Sequence, residues 1–136
     1  MQFISLFYSM AAPVQVTKAS EVNASTGQTE GMIRKGAIID KSDNISASVM
    51  LAKPHSSSAI HHHGEQDTVV YCVRGRGAVV SDGGKKRQIL EKGDFALIPA
   101  HAEHQEVNDG DEEVEWIITR SGRVPIVENL NGWSKS

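Results

Sequence analysis

Ile60-His61-His62-His63-Gly64-Glu65-Gln66-Asp67-Thr68-Val69-Val70-Tyr71-Cys72-Val73-Arg74-Gly75 (residues 60–75) is the stretch on which the reading of this chain turns, because it joins a histidine run to a strand-like segment closed by glycine. Thr68 to Val73 is rich in β-branched and aromatic residues, which suit a pleated, half-buried surface. Runs of the same kind recur around it: Ile33 to Ile39, Ile45 to Ala52, Gly77 to Ser81, Lys86 to Leu90, Phe95 to Pro99 and Val114 to Arg120. Short strands at such even spacing predict a sandwich or small barrel. Ser81-Asp82-Gly83-Gly84 and Glu91-Lys92-Gly93-Asp94 supply turn residues between neighbouring runs, and several of these tolerate positive φ, as hairpins require.

No segment carries an i, i+3, i+4, i+7 apolar stripe of helical length, so helix is expected to be minor. Alternation within Val114 to Ile118 puts Val114, Trp116 and Ile118 on one face and Glu113 and Glu115 on the other, and the apolar set is expected to face inward. Val70, Cys72, Phe95, Leu97, Trp116 and Ile118 are all read as core or pocket wall.

At 136 residues the chain is one domain's worth. Residues 1–30 are expected to be an extension or edge segment, 31–121 the folded body and 122–136 a tail. With 14 basic residues against 17 acidic ones and a net charge of -3, nothing recommends nucleic acid or an anionic membrane as partner; a small molecule fits better. No run approaches the roughly 20 apolar residues that span a bilayer. Cys72 is the one cysteine, so no intramolecular disulfide can form, which points to a cytoplasmic, reducing setting. The apolar run Phe3 to Tyr8 has no Lys or Arg before it and falls short of the roughly 7–15 residues of a secretory core. It reads as an edge strand, a dimer contact or, if Met10 rather than Met1 starts the chain, an upstream extension.

Four of the six histidines lie between His55 and His63, and the others are His101 and His104. In a strand, His61 and His63 project to one face about 6–7 Å apart while His62 points the other way. Two imidazoles on one face can share a metal. A third ligand has to come from a neighbouring strand, and His104 stands just after the turn-like Ile98-Pro99-Ala100, where a returning strand would begin. Imidazole suits several divalent metals, so ligand type alone does not choose among them.

From His61 to Asn108 the sequence resembles the two motifs of the cupin superfamily. His61, His63 and Gly75 match the first motif in spacing, and Gly93, Pro99, His104 and Asn108 match the second. The departures are His55 for the leading glycine of the first motif, His101 for the glycine after the proline, and Thr68 where the family places a metal-binding glutamate. The resemblance implies an all-β, single-domain cupin β-barrel, that is, a double-stranded β-helix of jelly-roll type. It implies a metal held by His61, His63 and His104 in a facial three-histidine centre; Glu65 and Gln66 lie nearby but off the family spacing, and whether either supplies a fourth ligand is open at this point. Fe(II) is the first expectation, with Mn, Zn, Ni or Cu as alternatives. His101 is the candidate general acid or base, since an unligated imidazole titrates near neutral pH. The leading functional expectation is an oxygenase or oxidoreductase acting on a small enolisable or phenolic metabolite, in a secondary-metabolic setting and as a homodimer. A non-redox isomerase, lyase or decarboxylase, and a non-enzymatic ligand- or metal-binding cupin, are the alternatives.

Overall fold

Val114, Trp116 and Ile118, set on one face by alternation alone, are each no more than 2% exposed, and the barrel is built around them. The computed structural model describes residues 11–24 and 31–134; the Phe3 to Tyr8 run and the choice between Met1 and Met10 lie outside those residues. Among the described residues twelve strands follow in chain order: β1 (Asn23–Ala24), β2 (Met32–Ile38), β3 (Ile45–Ala52), β4 (Ser56–Ser57), β5 (His61–His62), β6 (Thr68–Arg74), β7 (Gly77–Ser81), β8 (Lys86–Leu90), β9 (Phe95–Ile98), β10 (His104–Asn108), β11 (Val114–Ser121) and β12 (Glu128–Asn129). One sheet runs β1-β2-β3-β11-β6-β9 and the other β12-β5-β10-β7-β8, with β4 added to β10. All pairings are antiparallel. Among the described residues, no helix is long and apolar enough to cross a membrane.

The inner face of β11 changes character along its length, and that change positions the site. Trp116 lies opposite Met50 of β3 and Cys72 of β6, and the three are buried. Burying side chains of this kind stabilises the fold by about 1.5–3 kcal/mol each. Ile118 lies opposite Val70, again apolar. One step on, Arg120 lies opposite Ser46 and Thr68, and this layer is polar although all three residues are buried. The Cys72 thiol is fully buried, and burial pushes its pKa up. It is a core side chain.

Phe95 and Leu97 depart from expectation, since they are 70% and 67% exposed. In the register of β9 with β6, Phe95 faces Tyr71 and Leu97 faces Val69, while Ala96 and Ile98 face Val70 and Thr68. Apolar character does not reveal phase: here the smaller Ala96 and the neighbouring Ile98 turn inward, and the Phe95 ring packs outside on Tyr71 with centroids 4.7 Å apart.

Two of the motif positions hold turns and termini. Gly75 has φ +83, and a Cβ there would lie 2.7 Å from the Glu113 carbonyl oxygen, so only glycine fits. Asn108 donates from Nδ2 to the carbonyls of Ala52, Lys53 and Glu112 and accepts from the Gly110 amide, tying three segments at one end of the barrel.

Candidate metal centre

His104 opens β10 directly opposite His61 of β5, and His63 follows one residue beyond β5. The three rings converge, with centroid separations of 4.3 Å for His61 and His104, 5.0 Å for His61 and His63, and 5.1 Å for His63 and His104. Each is at most 2% exposed. Each ring also has its Nδ1 against a main-chain carbonyl: His61 on Ala59 at 2.7 Å, His63 on Ile126 at 2.7 Å and His104 on Ala102 at 2.9 Å. A carbonyl can only accept, so Nδ1 carries a proton in all three and Nε2 is the nitrogen left facing the cluster. That is the arrangement metal-binding imidazoles adopt, with the far nitrogen held by a second partner.

The Nε2 atoms of His61 and His104 are buried without a hydrogen-bond partner among the described residues. Buried polar atoms are rarely left so, and such orphans call for an ion, water or ligand. Burial, together with the Arg120 charge, lowers the His63 pKa to about 3; burial and the nearby His61 lower that of His104 to about 4. Both are therefore neutral at physiological pH, as ligation requires.

A fourth group joins them. Glu106 stands two residues beyond His104 on the same inward face of β10 and is 3% exposed. Its ligand oxygen and the histidine nitrogens all lie within 4.8 Å of one another. Oε1 is 3.6 Å from His61 Nε2, and Oε2 accepts from Arg34 Nη2 at 2.7 Å. Burial alone would raise the Glu106 pKa, but Arg34 and the neighbouring histidines outweigh it and hold the carboxyl well below the usual range. The three-histidine expectation thus gains a carboxylate from β10. The signal was present in the sequence, since residues two apart on a strand share a face.

Thr68 and the loop residues supply no such group. Thr68 is buried, and its hydroxyl accepts from Arg120 Nε at 2.9 Å; Arg120 Nη2 lies 3.3 Å from His63 Nε2. Burial lowers Arg120 to about 10, so it stays a cation. Glu65 is exposed. Gln66 is buried, but its amide is engaged with the segment after β11, donating to the Val124 carbonyl at 2.7 Å and accepting from the Ile126 amide at 2.8 Å. That segment continues into β12, which pairs with β5. Residues after 121 therefore help to hold the histidine strand.

His101 is not among the clustered side chains. It is exposed, with its ring 6.2 Å from that of His62, and its main-chain N–H donates to the Gly64 carbonyl. Its φ is 64°, and that of His55 is 55°. Both histidines that stand where the cupin motifs carry glycine thus adopt the left-handed backbone that glycine enters at least cost.

Comparison with known proteins agrees with this picture. Residues 48–120 match the Cupin domain family. An uncharacterised protein of Aquifex aeolicus (strain VF5) is 30% identical over 77 residues, 57% of this chain and 62% of that relative, so the match spans less than two thirds of the relative's length. Among solved structures, the polyketide cyclase RemF from Streptomyces resistomycificus superposes with TM-score 0.74 at 17% identity, covering 90% of this chain and 89% of that one. The Lactobacillus farciminis oxalate decarboxylase formate complex superposes with TM-score 0.71 at 22% identity, covering 82% of this chain and 34% of that one.

Proposed function

Since this chain belongs to the cupin family, we propose that it is a metal-dependent enzyme whose resident divalent ion, Fe(II), is held by His61, His63 and His104 with Glu106 beside them, and that it oxygenates a small enolisable or phenolic metabolite. The observation that carries this reading is the convergence of three buried imidazoles whose Nδ1 atoms are all committed to carbonyls. Bound there, the ion would supply Lewis acidity toward a carbonyl, enolate or phenolate oxygen and, as Fe(II), the redox partner that O2 chemistry needs.

The chain's own residues prepare that chemistry. Carbonyls of Ala59, Ala102 and Ile126 fix the ring orientations, the barrel wall excludes water, and the Arg34 guanidinium keeps Glu106 ionised. His101, tied through its main chain to Gly64 next to His63, is proposed as the group that exchanges protons with bulk solvent.

A non-redox reading, in which an enolate is stabilised for isomerisation, decarboxylation or cyclisation, has its own support. Glu106 adds an anionic group that the three-histidine oxygenase pattern lacks. Neighbours in fold also include a polyketide cyclase and an oxalate decarboxylase. Oxygen uptake by the Fe(II)-loaded protein across a panel of β-diketones and catechols separates the two: uptake with product formation supports oxygenation, and equal turnover under argon sinks it. A reducing, cytoplasmic setting is proposed from the single buried Cys72. A homodimer paired through edge strands is proposed from the exposed Phe95 and Leu97 on the edge strand β9; a monomer in sedimentation at micromolar concentration removes it.

A further inference from the structure

Among the described residues, Arg120 is a cation without an ion partner. It is 4% exposed; its Nε is held by the Thr68 hydroxyl and its Nη2 faces His63 Nε2. Among the described residues, no carboxylate reaches it within hydrogen-bond distance and Nη1 carries no hydrogen bond. Glu106 acts on it only at longer range, and that carboxylate is already bound by Arg34. A buried guanidinium is costly unless an anion pairs with it. A divalent ion at the centre would sharpen the imbalance, since it adds positive charge beside Arg120 while the Glu106 carboxylate is already bound by Arg34.

We propose that Arg120 anchors the carboxylate of the substrate, so that the enzyme acts on a small carboxylic acid whose enolisable carbon chain reaches the metal centre. This deepens, and rests on, the metal-centre reading. The guanidinium fork matches a carboxylate in shape and binds it through paired, charge-assisted hydrogen bonds. Thr68 supports this by occupying Nε, which leaves the Nη edge turned toward the cluster. The same contact explains what Thr68 does at a position where a glutamate would neutralise Arg120: it orients the arginine and leaves its charge available. A metal held by His63 Nε2 would free the Arg120 Nη2–H that now faces that nitrogen to donate to the acid. A neutral sugar or phenol would leave the charge uncompensated.

The test uses the full chain loaded with zinc, a redox-silent ion, and calorimetric titration with pyruvate and with its neutral counterpart pyruvamide. Pyruvate is expected to bind once per zinc, and pyruvamide at least about tenfold more weakly, as the loss of a charge-assisted pair implies. In Arg120→Gln, pyruvate should weaken by about the same factor while pyruvamide and zinc stoichiometry are unchanged; Arg120→Lys should recover part of the loss. Should Arg120→Gln fail to fold, Thr68→Val keeps the cation but frees its Nε, and a severalfold loss confined to pyruvate is expected. Pyruvate binding that is indifferent to these variants in zinc-loaded protein, or tighter binding of inorganic phosphate than of pyruvate, overturns the assignment alone. Failure of the parent to take up zinc overturns the metal-centre reading and this inference with it.

Discussion

The Nδ1 of His63 is held by the Ile126 carbonyl at 2.7 Å, a contact between residues 63 positions apart. It links the candidate centre to a segment that follows the last long strand. Gln66 locks that segment in place from both sides, through Val124 and Ile126. Gln66→Leu removes both bonds and leaves the Ile126 amide without its acceptor. It should cost about 1–3 kcal/mol in chemical denaturation and lower metal affinity about 10- to 100-fold through the misoriented His63 ring. Unchanged metal affinity would separate the strap from the site.

Glu106→Gln tests the carboxylate. The substitution leaves the Arg34 guanidinium, 14% exposed, beside a neutral amide. Breaking such a pair costs about 3–5 kcal/mol when it is buried, so a loss near the lower figure is expected here. Metal affinity should fall as well, and less than for any of the three histidines. A variant as stable as the parent would show that Arg34 and Glu106 are not coupled in solution.

Much of the barrel was legible because β-branched runs and turn residues are local signals. Ile45–Ala52, Gly77–Ser81 and Lys86–Leu90 have the same bounds in the sequence reading and in the structure. The two-residue strands Ser56–Ser57, His61–His62 and Glu128–Asn129 have no local signature, because partners supplied by distant segments define them. The convergence of His61, His63 and His104 could be read from alternation and motif spacing. The same alternation sets Glu106 on the face of His104 and Arg120 on the face of Ile118, but each is a charged residue of a kind usually solvated, so its place in the buried cluster emerges only from the pairing of β10 and β11.

Acid should destabilise the metal-free protein. His63 and His104 have folded pKa values of about 3 and about 4, below the ordinary 6.5. The unfolded chain therefore takes up protons on them first as pH falls. Their contribution to stability is complete above about pH 6.5 and is lost between there and about pH 3–4. Glu106, depressed below its ordinary 4.5, adds to the loss below that pH. The melting temperature should fall from pH 7 to pH 4, and His104→Leu should flatten the profile by up to about 3 kcal/mol over that range. A flat profile for the parent contradicts neutral, buried imidazoles.

His101→Gly separates strain from chemistry. At φ 64° the left-handed backbone costs a side-chain-bearing residue about 1–2 kcal/mol, less for histidine than for most, so glycine should leave the protein as stable or up to about 1 kcal/mol more stable. If His101 exchanges protons in turnover, the same variant should turn over more slowly at unchanged metal content. A stabilised variant with unaltered turnover would confine His101 to the loop's geometry.

The central claim is that His61, His63 and His104 together hold one metal ion. Elemental analysis of the purified parent beside His104→Ala and the control His62→Ala tests it most directly. One divalent ion per chain in the parent and in His62→Ala, with loss of the ion in His104→Ala, is the expected result. Full occupancy in His104→Ala, or a parent that binds no divalent ion when reconstituted, would contradict it.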